Sequence, residues 1–131
     1  MKLGYTIVYV PDVKASLQFF SDVFGFAVKF LHESETYGEL ATGETTLAFA
    51  VHELGRSNFQ GGYVAASESG KPLGMELGLV TEDVEAAHAR AIKAGALELA
   101  EPTKKPWGQV VSYVRCPDGT LVELCTPIGA P

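Results

Sequence analysis

Several features are scarce in this chain of 131 residues, and each scarcity excludes a class of protein. Two cysteines are too few for a disulfide framework, and they lie too far apart along a predicted hairpin to form a bridge. Ten lysine and arginine residues stand against 16 aspartate and glutamate residues. The resulting net charge of −6 argues against a basic surface for DNA or RNA. No apolar run approaches the roughly twenty residues that cross a bilayer, and the opening stretch breaks at Pro11, too soon for a signal peptide. We therefore expect a cytoplasmic protein without nucleic-acid or membrane partners.

Familiar catalytic motifs are also missing. There is no Gly-x-Ser-x-Gly elbow, which excludes the common form of triad hydrolysis. The glycine-rich stretch 60–63 carries no lysine and does not lead from a strand into a helix, so it is not a phosphate loop. The three histidines lack the spacing of paired metal ligands. His32 and His52 fall at the ends of predicted strands, where we expect solvent exposure, and His88 is expected at the surface or boundary of a helix.

An internal repeat is the main feature that is present. Residues 5–12 and residues 76–83 are both short β-rich runs that end in aspartate, 71 positions apart. A helical period of apolar residues follows each run. Asp12 and Asp83 are placed as N-caps of these helices, and Gly25 and Gly95 as their C-terminal stops. The apolar period and the residues at both ends therefore agree in predicting the two helices.

Three strand-like segments follow each helix. They are residues 27–31, 37–41 and 45–51 in the first half, and 97–100, 109–115 and 121–126 in the second. The predicted fold class is α+β, with two tandem βαβββ modules in a single domain 1–131. Module one spans 3–52, a connecting loop spans 53–74, and module two spans 75–127. The loop is longer than an ordinary connection, and it is either a linker or a binding lid.

The chain resembles the vicinal oxygen chelate superfamily, which includes glyoxalases, extradiol dioxygenases and bleomycin-resistance proteins. The resemblance rests on the tandem repeat, on residues 10–13 running into Phe24-Gly25-Phe26, and on the run from Trp107-Gly108-Gln109 through Pro117-Asp118-Gly119 to Leu-Val-Glu-Leu. It implies a curved, cupped mixed sheet with the helices on its convex side. It also implies a homodimer, because the cavity in this family often lies at a subunit joint.

Metal-dependent members of that family take one ligand from the first strand and one from the last strand of each half, commonly histidine and glutamate. The matching positions here are Tyr5, Ala48, Glu76 and Glu123. Both histidines are absent, and an alanine has no donor atom. We therefore expect no cofactor. The alternative is a divalent metal held weakly by Glu76 and Glu123, with water completing the shell.

The predicted ligand-binding residues combine aromatic or apolar side chains with two carboxylates. They are Tyr5, Ile7, Ala48, Glu76, Trp107, Tyr113 and Glu123. Aromatic faces beside a carboxylate suit planar or cationic compounds, through stacking and cation–π attraction. The leading prediction is a small-molecule binding protein of the bleomycin-resistance type that needs no metal.

Two enzymatic alternatives remain open. One is a metal-dependent glyoxalase-like lyase, isomerase or dioxygenase with a carboxylate-rich site. The other is a metal-free enzyme in which Glu123 or Glu76 is the catalytic residue and abstracts a proton. Whether the protein is an enzyme is left open at this point.

Overall fold

The structure is a computed structural model, and it describes residues 1–129. In chain order the elements are β1 (Tyr5–Val10), α1 (Val13–Phe24), β2 (Val28–Leu31), β3 (Tyr37–Leu40), β4 (Thr46–Val51), α2 (His52–Ser57), β5 (Leu77–Val80), α3 (Val84–Lys93), β6 (Leu97–Lys104), β7 (Val110–Arg115) and β8 (Leu121–Cys125). They form two four-stranded mixed sheets, ordered β1-β4-β3-β2 and β5-β8-β7-β6. The α+β class and the tandem βαβββ order are as predicted.

The chain divides into two compact units, which are described separately below. Unit 1 is Met1–Ser69, and unit 2 begins at Gly70. The predicted modules 3–52 and 75–127 fall inside units 1 and 2, so most of the predicted connecting loop belongs to unit 1. None of the helices within residues 1–129 is long and apolar enough to cross a membrane.

The two long helices begin and end where the sequence predicts. The Asp12 carboxylate accepts a hydrogen bond from the backbone N–H of Ala15 at 3.0 Å, and the Asp83 carboxylate accepts one from Ala86 at 3.0 Å. These contacts satisfy N–H groups that a helix leaves free in its first turn. Gly25 follows α1 in the left-handed region, at φ 79°, which a residue without a Cβ adopts at little cost.

Helix α1 packs on one side of the sheet of unit 1. The Phe20 and Phe49 rings lie 5.0 Å apart between their centroids, and both side chains are fully buried. Gly38 on β3 lies under α1 so closely that a Cβ there would meet the Leu17 Cδ1 atom at 2.6 Å. Because strand residues alternate between faces, Tyr37, Glu39 and Ala48 face the other way. We call that opposite side the open face of unit 1.

Unit 2 repeats this arrangement around α3. Val114, Val122 and Leu124 are buried on the side of α3, and β7 pairs with β8 so that Tyr113 lies opposite Glu123. Alternation turns Tyr113 and Glu123 to the opposite side, the open face of unit 2. Cys116 and Cys125 are both free, so the expected absence of a bridge is confirmed.

Strand β6 is longer than predicted. It runs to Lys104, past the expected end at Ala100, although Pro102 lies within it. Proline cannot donate a ladder hydrogen bond, so strands tolerate it at edges and irregularities. β6 is an edge strand, and its register with β7 shifts between Ala100 and Thr103, where Pro102 lies.

The first part of the predicted connecting loop lies within unit 1 and contains a short helix that the sequence analysis did not predict. Helix α2 follows β4 directly, and Gly55 of this helix lies against the Tyr9 ring, where a Cβ would meet ring atoms at 2.8 Å. Further along, the Tyr63 ring packs on the Tyr9 ring at 4.9 Å, and Asn58 donates a hydrogen bond to the Tyr9 hydroxyl at 3.1 Å. Residues 52–63 are therefore packed on β1 within unit 1.

Two histidine predictions were wrong. His52 is buried, and its ring lies 2.7 Å from the Tyr63 hydroxyl and 3.1 Å from the Ser67 hydroxyl. His88 is also buried, between the Ser112 hydroxyl at 2.9 Å and a Glu98 carboxylate oxygen at 2.7 Å. Buried polar groups require partners, and these partners lie on other elements. His32 is exposed, as expected.

Candidate functional site

The open face of unit 2 carries a row of residues across its four strands. Gly78 pairs with Glu123, Glu123 with Tyr113, and Tyr113 with Ala100. A Cβ at Gly78 would have only the Glu123 carboxylate within 4 Å, at 4.0 Å. Gly78 therefore leaves space directly beside the Glu123 carboxylate. It lies on β5, the first strand of unit 2.

Tyr113 holds the Glu123 carboxylate in place. Its hydroxyl donates a hydrogen bond to Glu123 Oε1 at 2.7 Å. This hydrogen bond, burial, and the negative charges of Glu123 and Glu76 raise the pKa of Tyr113 to about 12. The hydroxyl consequently stays protonated at neutral pH and remains a donor to the carboxylate.

Glu76 lies immediately before β5 and next to Glu123. Partial desolvation raises the pKa of Glu76, and the charge of Glu123 and a hydrogen bond with it add to the effect. Two neighbouring carboxylates repel each other when both are ionised, so they favour sharing a proton or binding a cation. The pair can therefore accept a positive group from a ligand, or take up a proton from one.

Cys125 shares the open face but is not set up as a nucleophile. Burial raises the pKa of its thiol, as do a hydrogen bond with Glu123 and the charges of Glu123 and Glu76. The sulfur lies 3.8 Å from the Leu79 carbonyl oxygen. A thiol that is kept protonated is a poor nucleophile, so Cys125 serves packing.

Three of the predicted residues come together on the open face of unit 1. Tyr5 is 57% exposed and Ile7 is 43% exposed, while Ala48 is fully buried between strands that carry larger side chains. Ile7 pairs directly with Ala48. These are the apolar and aromatic members of the predicted ligand-binding set. Glu76, Tyr113 and Glu123 are its polar members, and they come together in unit 2.

Glu39 lies on the same open face but is not among the predicted ligand-binding residues. It pairs with Ala48 on the open face of unit 1, and the Tyr37 hydroxyl donates a hydrogen bond to its carboxylate at 2.7 Å. The alternation of β3 could have revealed it: Gly38 and Leu40 face α1, so the residue between them must face away. The carboxylate was overlooked because the repeat has no glutamate at this position in the second half.

Trp107 occupies a different part of unit 2. It lies in the turn between β6 and β7, is 64% exposed, and donates a hydrogen bond from its indole to the Gln109 side chain at 2.7 Å. From residue 109 to Tyr113 the strand rises about 13 Å at the usual spacing. The structure thus places Trp107 near the end of the hairpin rather than in the row of Glu123.

The family's metal site can be tested against the donor chemistry of these positions. In unit 1, Ala48 has no donor, and Tyr5 offers only a phenol. In unit 2, Glu76 and Glu123 are the carboxylates at the matched positions. Within residues 1–129, no three His, Cys, Asp or Glu side chains are grouped so that they could hold a metal ion. The residues present do not fit the family's ligand set.

The topology defines the class of protein. Two βαβββ units stand in tandem, and each pairs its first strand in parallel with its last, β1 with β4 and β5 with β8. Residues 2–124 match the Glyoxalase/Bleomycin resistance protein/Dioxygenase superfamily, and the chain belongs to this family. The resemblance inferred from the sequence is confirmed. No match was found among curated proteins.

Solved structures show the same fold. A glyoxalase-related enzyme from Fulvimarina pelagi is 23% identical, with a TM-score of 0.81 over 99% of this chain and 94% of that one. A glyoxalase/bleomycin resistance protein/dioxygenase family enzyme from Burkholderia phytofirmans is 22% identical, with a TM-score of 0.74 over 96% and 98%. One from Nocardioides is 17% identical, with a TM-score of 0.74 over 100% and 87%. Similarity at this level establishes the glyoxalase-like fold and leaves activity open.

Proposed function

We propose that this chain is a small-molecule binding protein of the glyoxalase/bleomycin-resistance type, which holds a planar aromatic or cationic compound without a metal. The observation that carries the proposal is the carboxylate pair of Glu76 and Glu123 beside the open position at Gly78. A carboxylate pair beside an unfilled position on a sheet face is a place for a positive group.

The electrostatics of the pair support a cationic ligand. The pKa of Glu76 is raised by partial desolvation and by the charge of Glu123, so the two carboxylates repel each other when both are ionised. A positive group between the two carboxylates replaces repulsion with attraction. Ligand binding then favours the ionised form of Glu76, and the affinity for a permanent cation rises with pH through the titration of that group.

The aromatic side chains support an aromatic or planar body. The Tyr113 ring stands next to Glu123 across the strand pair. A cation near such a ring is attracted to its face, and the effect adds to that of the carboxylate. The binding role needs affinity without chemistry, and a face with few polar anchors suits it.

The test is a titration with phenyltrimethylammonium, in which binding is measured by calorimetry. Its charge does not change with pH. We expect Glu123→Gln and Glu76→Gln each to weaken binding by about tenfold, the scale of one charge-assisted contact. Gly78→Val should weaken binding by filling the open position without changing any charge. Glu82→Gln, which removes the same charge from an exposed residue of unit 2, is the matched control. Equal affinity in the Glu123 variant and the control would refute the proposal.

The metal-dependent lyase, isomerase or dioxygenase makes a different prediction. It requires about one divalent metal per chain in protein purified without a chelator or histidine tag, measured by plasma mass spectrometry. It also requires that Glu123→Ala lose both metal and turnover. A metal content near zero that stays there after dialysis against Mn²⁺, Fe²⁺, Ni²⁺ and Zn²⁺ favours the binding role.

We also propose that the protein is a homodimer, as is common for ligand-binding members of the family. The edge strands β2 and β6 expose large apolar side chains, among them Phe30, Leu97 and Leu99. Exposed apolar edges favour association. Light scattering coupled to size-exclusion chromatography should give twice the chain mass of 14.0 kDa, and a mass of one chain at micromolar concentration would contradict the dimer.

A further inference from the structure

The segment that follows α2, residues 58–69, lies against the end of β1, and we call it the strap. The Tyr63 ring of the strap packs on the Tyr9 ring of β1, with 4.9 Å between the centroids. Asn58, at the start of the strap, donates a hydrogen bond to the Tyr9 hydroxyl at 3.1 Å. These side-chain contacts cover the Tyr9 ring and join the strap to the sheet of unit 1.

The His52 ring joins the strap to the start of α2. Its Nδ1 atom lies 2.7 Å from the Tyr63 hydroxyl, and its Nε2 atom lies 3.1 Å from the Ser67 hydroxyl. His52 is only 8% exposed, so its ring is shielded from water. A neutral imidazole suits this arrangement, because one ring nitrogen donates a hydrogen bond and the other accepts one.

A positive charge on His52 finds little to stabilise it there. Both ring partners are hydroxyls, β4 carries no ionisable side chain, and the ionisable side chain that β1 contributes here is Tyr9. Burial and the positive charge of Arg56 lower the pKa of His52, and the negative charge of Glu68 opposes them. Arg56 and Glu68 lie 3.7 Å apart with half or more of each side chain exposed, so each weakens the effect of the other.

His88 shows what His52 lacks. It is also buried and also has a hydroxyl partner, Ser112, at 2.9 Å. Its other ring nitrogen, however, lies 2.7 Å from a carboxylate oxygen of Glu98. A carboxylate at hydrogen-bonding distance stabilises an imidazolium, whereas a hydroxyl supplies no counter-charge. Acidification therefore works against the contacts of His52 in particular.

We propose that the strap is an acid-sensitive switch: when His52 takes up a proton, residues 58–69 leave β1 while the sheet of unit 1 stays folded. Release lets the imidazolium reach water, and it uncovers the Tyr9 ring. The contacts that are lost are side-chain contacts, and the pairing of β1 with β4 is kept. The switch goes beyond the function proposed above, since it requires no ligand and no residue of unit 2.

Amide hydrogen exchange followed by mass spectrometry tests the switch, with rates corrected for the intrinsic effect of pH. The reporters are peptides with Glu68 and Ser69, whose backbone N–H groups donate to the Ala65 carbonyl oxygen within the strap. We expect the opening constant of the strap to rise about tenfold from pH 7 to pH 5, since a histidine in water titrates near pH 6.5. Peptides of β3 and β4 should keep their protection.

Two histidine variants separate the switch from a general effect of acid. His52→Gln keeps a polar side chain at the position and cannot titrate, so its strap should open equally at pH 7 and pH 5. His32→Gln removes an exposed histidine of the same unit and should behave as the wild type. Protection of β3 and β4 at pH 7 shows that each variant keeps its fold.

The response to acid should also be reversible by design. Ser67→Asp places a carboxylate beside His52 Nε2, as Glu98 is placed beside His88. The imidazolium then gains a counter-charge, so the strap of this variant should open less at pH 5 than at pH 7. Ser67→Asn, which matches the aspartate in shape and has no charge, should keep the direction of the wild type. A purely structural role for His52 predicts no such reversal.

Several results would overturn the switch. One is a wild-type strap whose corrected opening is the same at pH 7 and pH 5. Another is a rise with acid that persists in His52→Gln. Loss of protection in β3 and β4 together with the strap would show that acid unfolds the whole unit. The same pH response in Ser67→Asp and Ser67→Asn would show that the charge on His52 does not control the strap.

Discussion

Replacing Gly38 with alanine should destabilise unit 1, although glycine is normally a weak choice within a strand. An added Cβ would lie 2.6 Å from Leu17 Cδ1 and 3.2 Å from both Val13 Cγ1 and the Phe30 carbonyl oxygen. Gly→Ala alone gains about 0.5–1 kcal/mol from the reduced entropy of the unfolded chain. Overpacking of a core contact costs about 1–3 kcal/mol, and here one of the contacts is backbone that cannot rotate away.

The net expectation for Gly38→Ala is a loss of about 1–2 kcal/mol in the free energy of unfolding, or roughly 4–8 °C in Tm for a chain of this size. The assay is urea unfolding followed by circular dichroism. The matched control is Gly74→Ala, where a Cβ meets nothing within 4 Å and the backbone is not left-handed, so stability should be unchanged or slightly raised.

A double variant tests the mechanism of the loss. Leu17 is buried, and Leu17→Ala alone should cost about 2–5 kcal/mol. In the Gly38→Ala background it should cost less, because the new methyl fills part of the cavity that Leu17 leaves and the clash is relieved. A coupling of about 0.5–3 kcal/mol in this direction is expected. Strict additivity, or a Gly38→Ala protein as stable as the Gly74→Ala control, would refute the packing described for α1.

Three further predictions concern titratable and buried polar groups. Burial lowers the pKa of His52, so unfolding takes up a proton below about pH 6.5, and stability should fall as the pH drops through that value; His52→Gln should flatten this part of the urea-unfolding profile. The raised pKa of Glu76 means that its ionised form disfavours the folded state, so Glu76→Gln should gain stability relative to the wild type as the pH rises from 4 to 7. His88→Ala leaves the fully buried Ser112 hydroxyl without its imidazole partner and should cost at least about 1–3 kcal/mol, part of which His88→Ala/Ser112→Ala recovers.

Each of these has an outcome that contradicts it. An identical pH profile in the wild type and the His52 variant would remove the burial argument for that ring. A stability difference for Glu76→Gln that is the same at pH 4 and pH 7 would show that the carboxylate pair does not interact. If the double variant of His88 and Ser112 loses as much free energy of unfolding as the two single variants together, the Ser112 hydroxyl does not depend on the imidazole for its hydrogen bond.

The sequence predicted the elements because their signals are local. Each helix is located by signals within its own stretch of sequence. These are an N-cap such as Asp12, a C-terminal glycine such as Gly25, and the apolar period between them. The absence of a disulfide between Cys116 and Cys125 could be predicted in the same way, from their spacing along the hairpin. Alternation in a strand depends only on position, so the two faces of β4 and β8 follow from the sequence once the strands are located.

Features that depend on distant partners could not be predicted in this way. His88 is buried because Ser112 and Glu98, 24 and 10 positions away, satisfy both ring nitrogens. The position of Glu39 beside Ala48 follows from the register of β3 with β4, which the strand pattern alone does not fix. Trp107 was grouped with Glu123 as an aromatic residue in a loop, and the structure places it in the turn between β6 and β7. Long-range pairing is a property of the fold, and one strand pattern is compatible with several pairings.

The parallel pairing of the first strand of each unit with its last has a consequence for how the protein folds. Tyr5 pairs with Thr46, and Leu77 with Val122, so neither sheet is complete until a chain of about forty residues has closed a loop. Contacts of such long sequence separation slow folding, because loop-closure entropy is lost before the contact is gained. On the ribosome, β1 must wait with its backbone unpaired until β4 emerges, whereas the hairpin of β3 and β4 can form at once. The pairing of β1 with β4 can then form before unit 2 has been synthesised. The chain therefore closes two loops of moderate length, one in each unit, instead of one long loop.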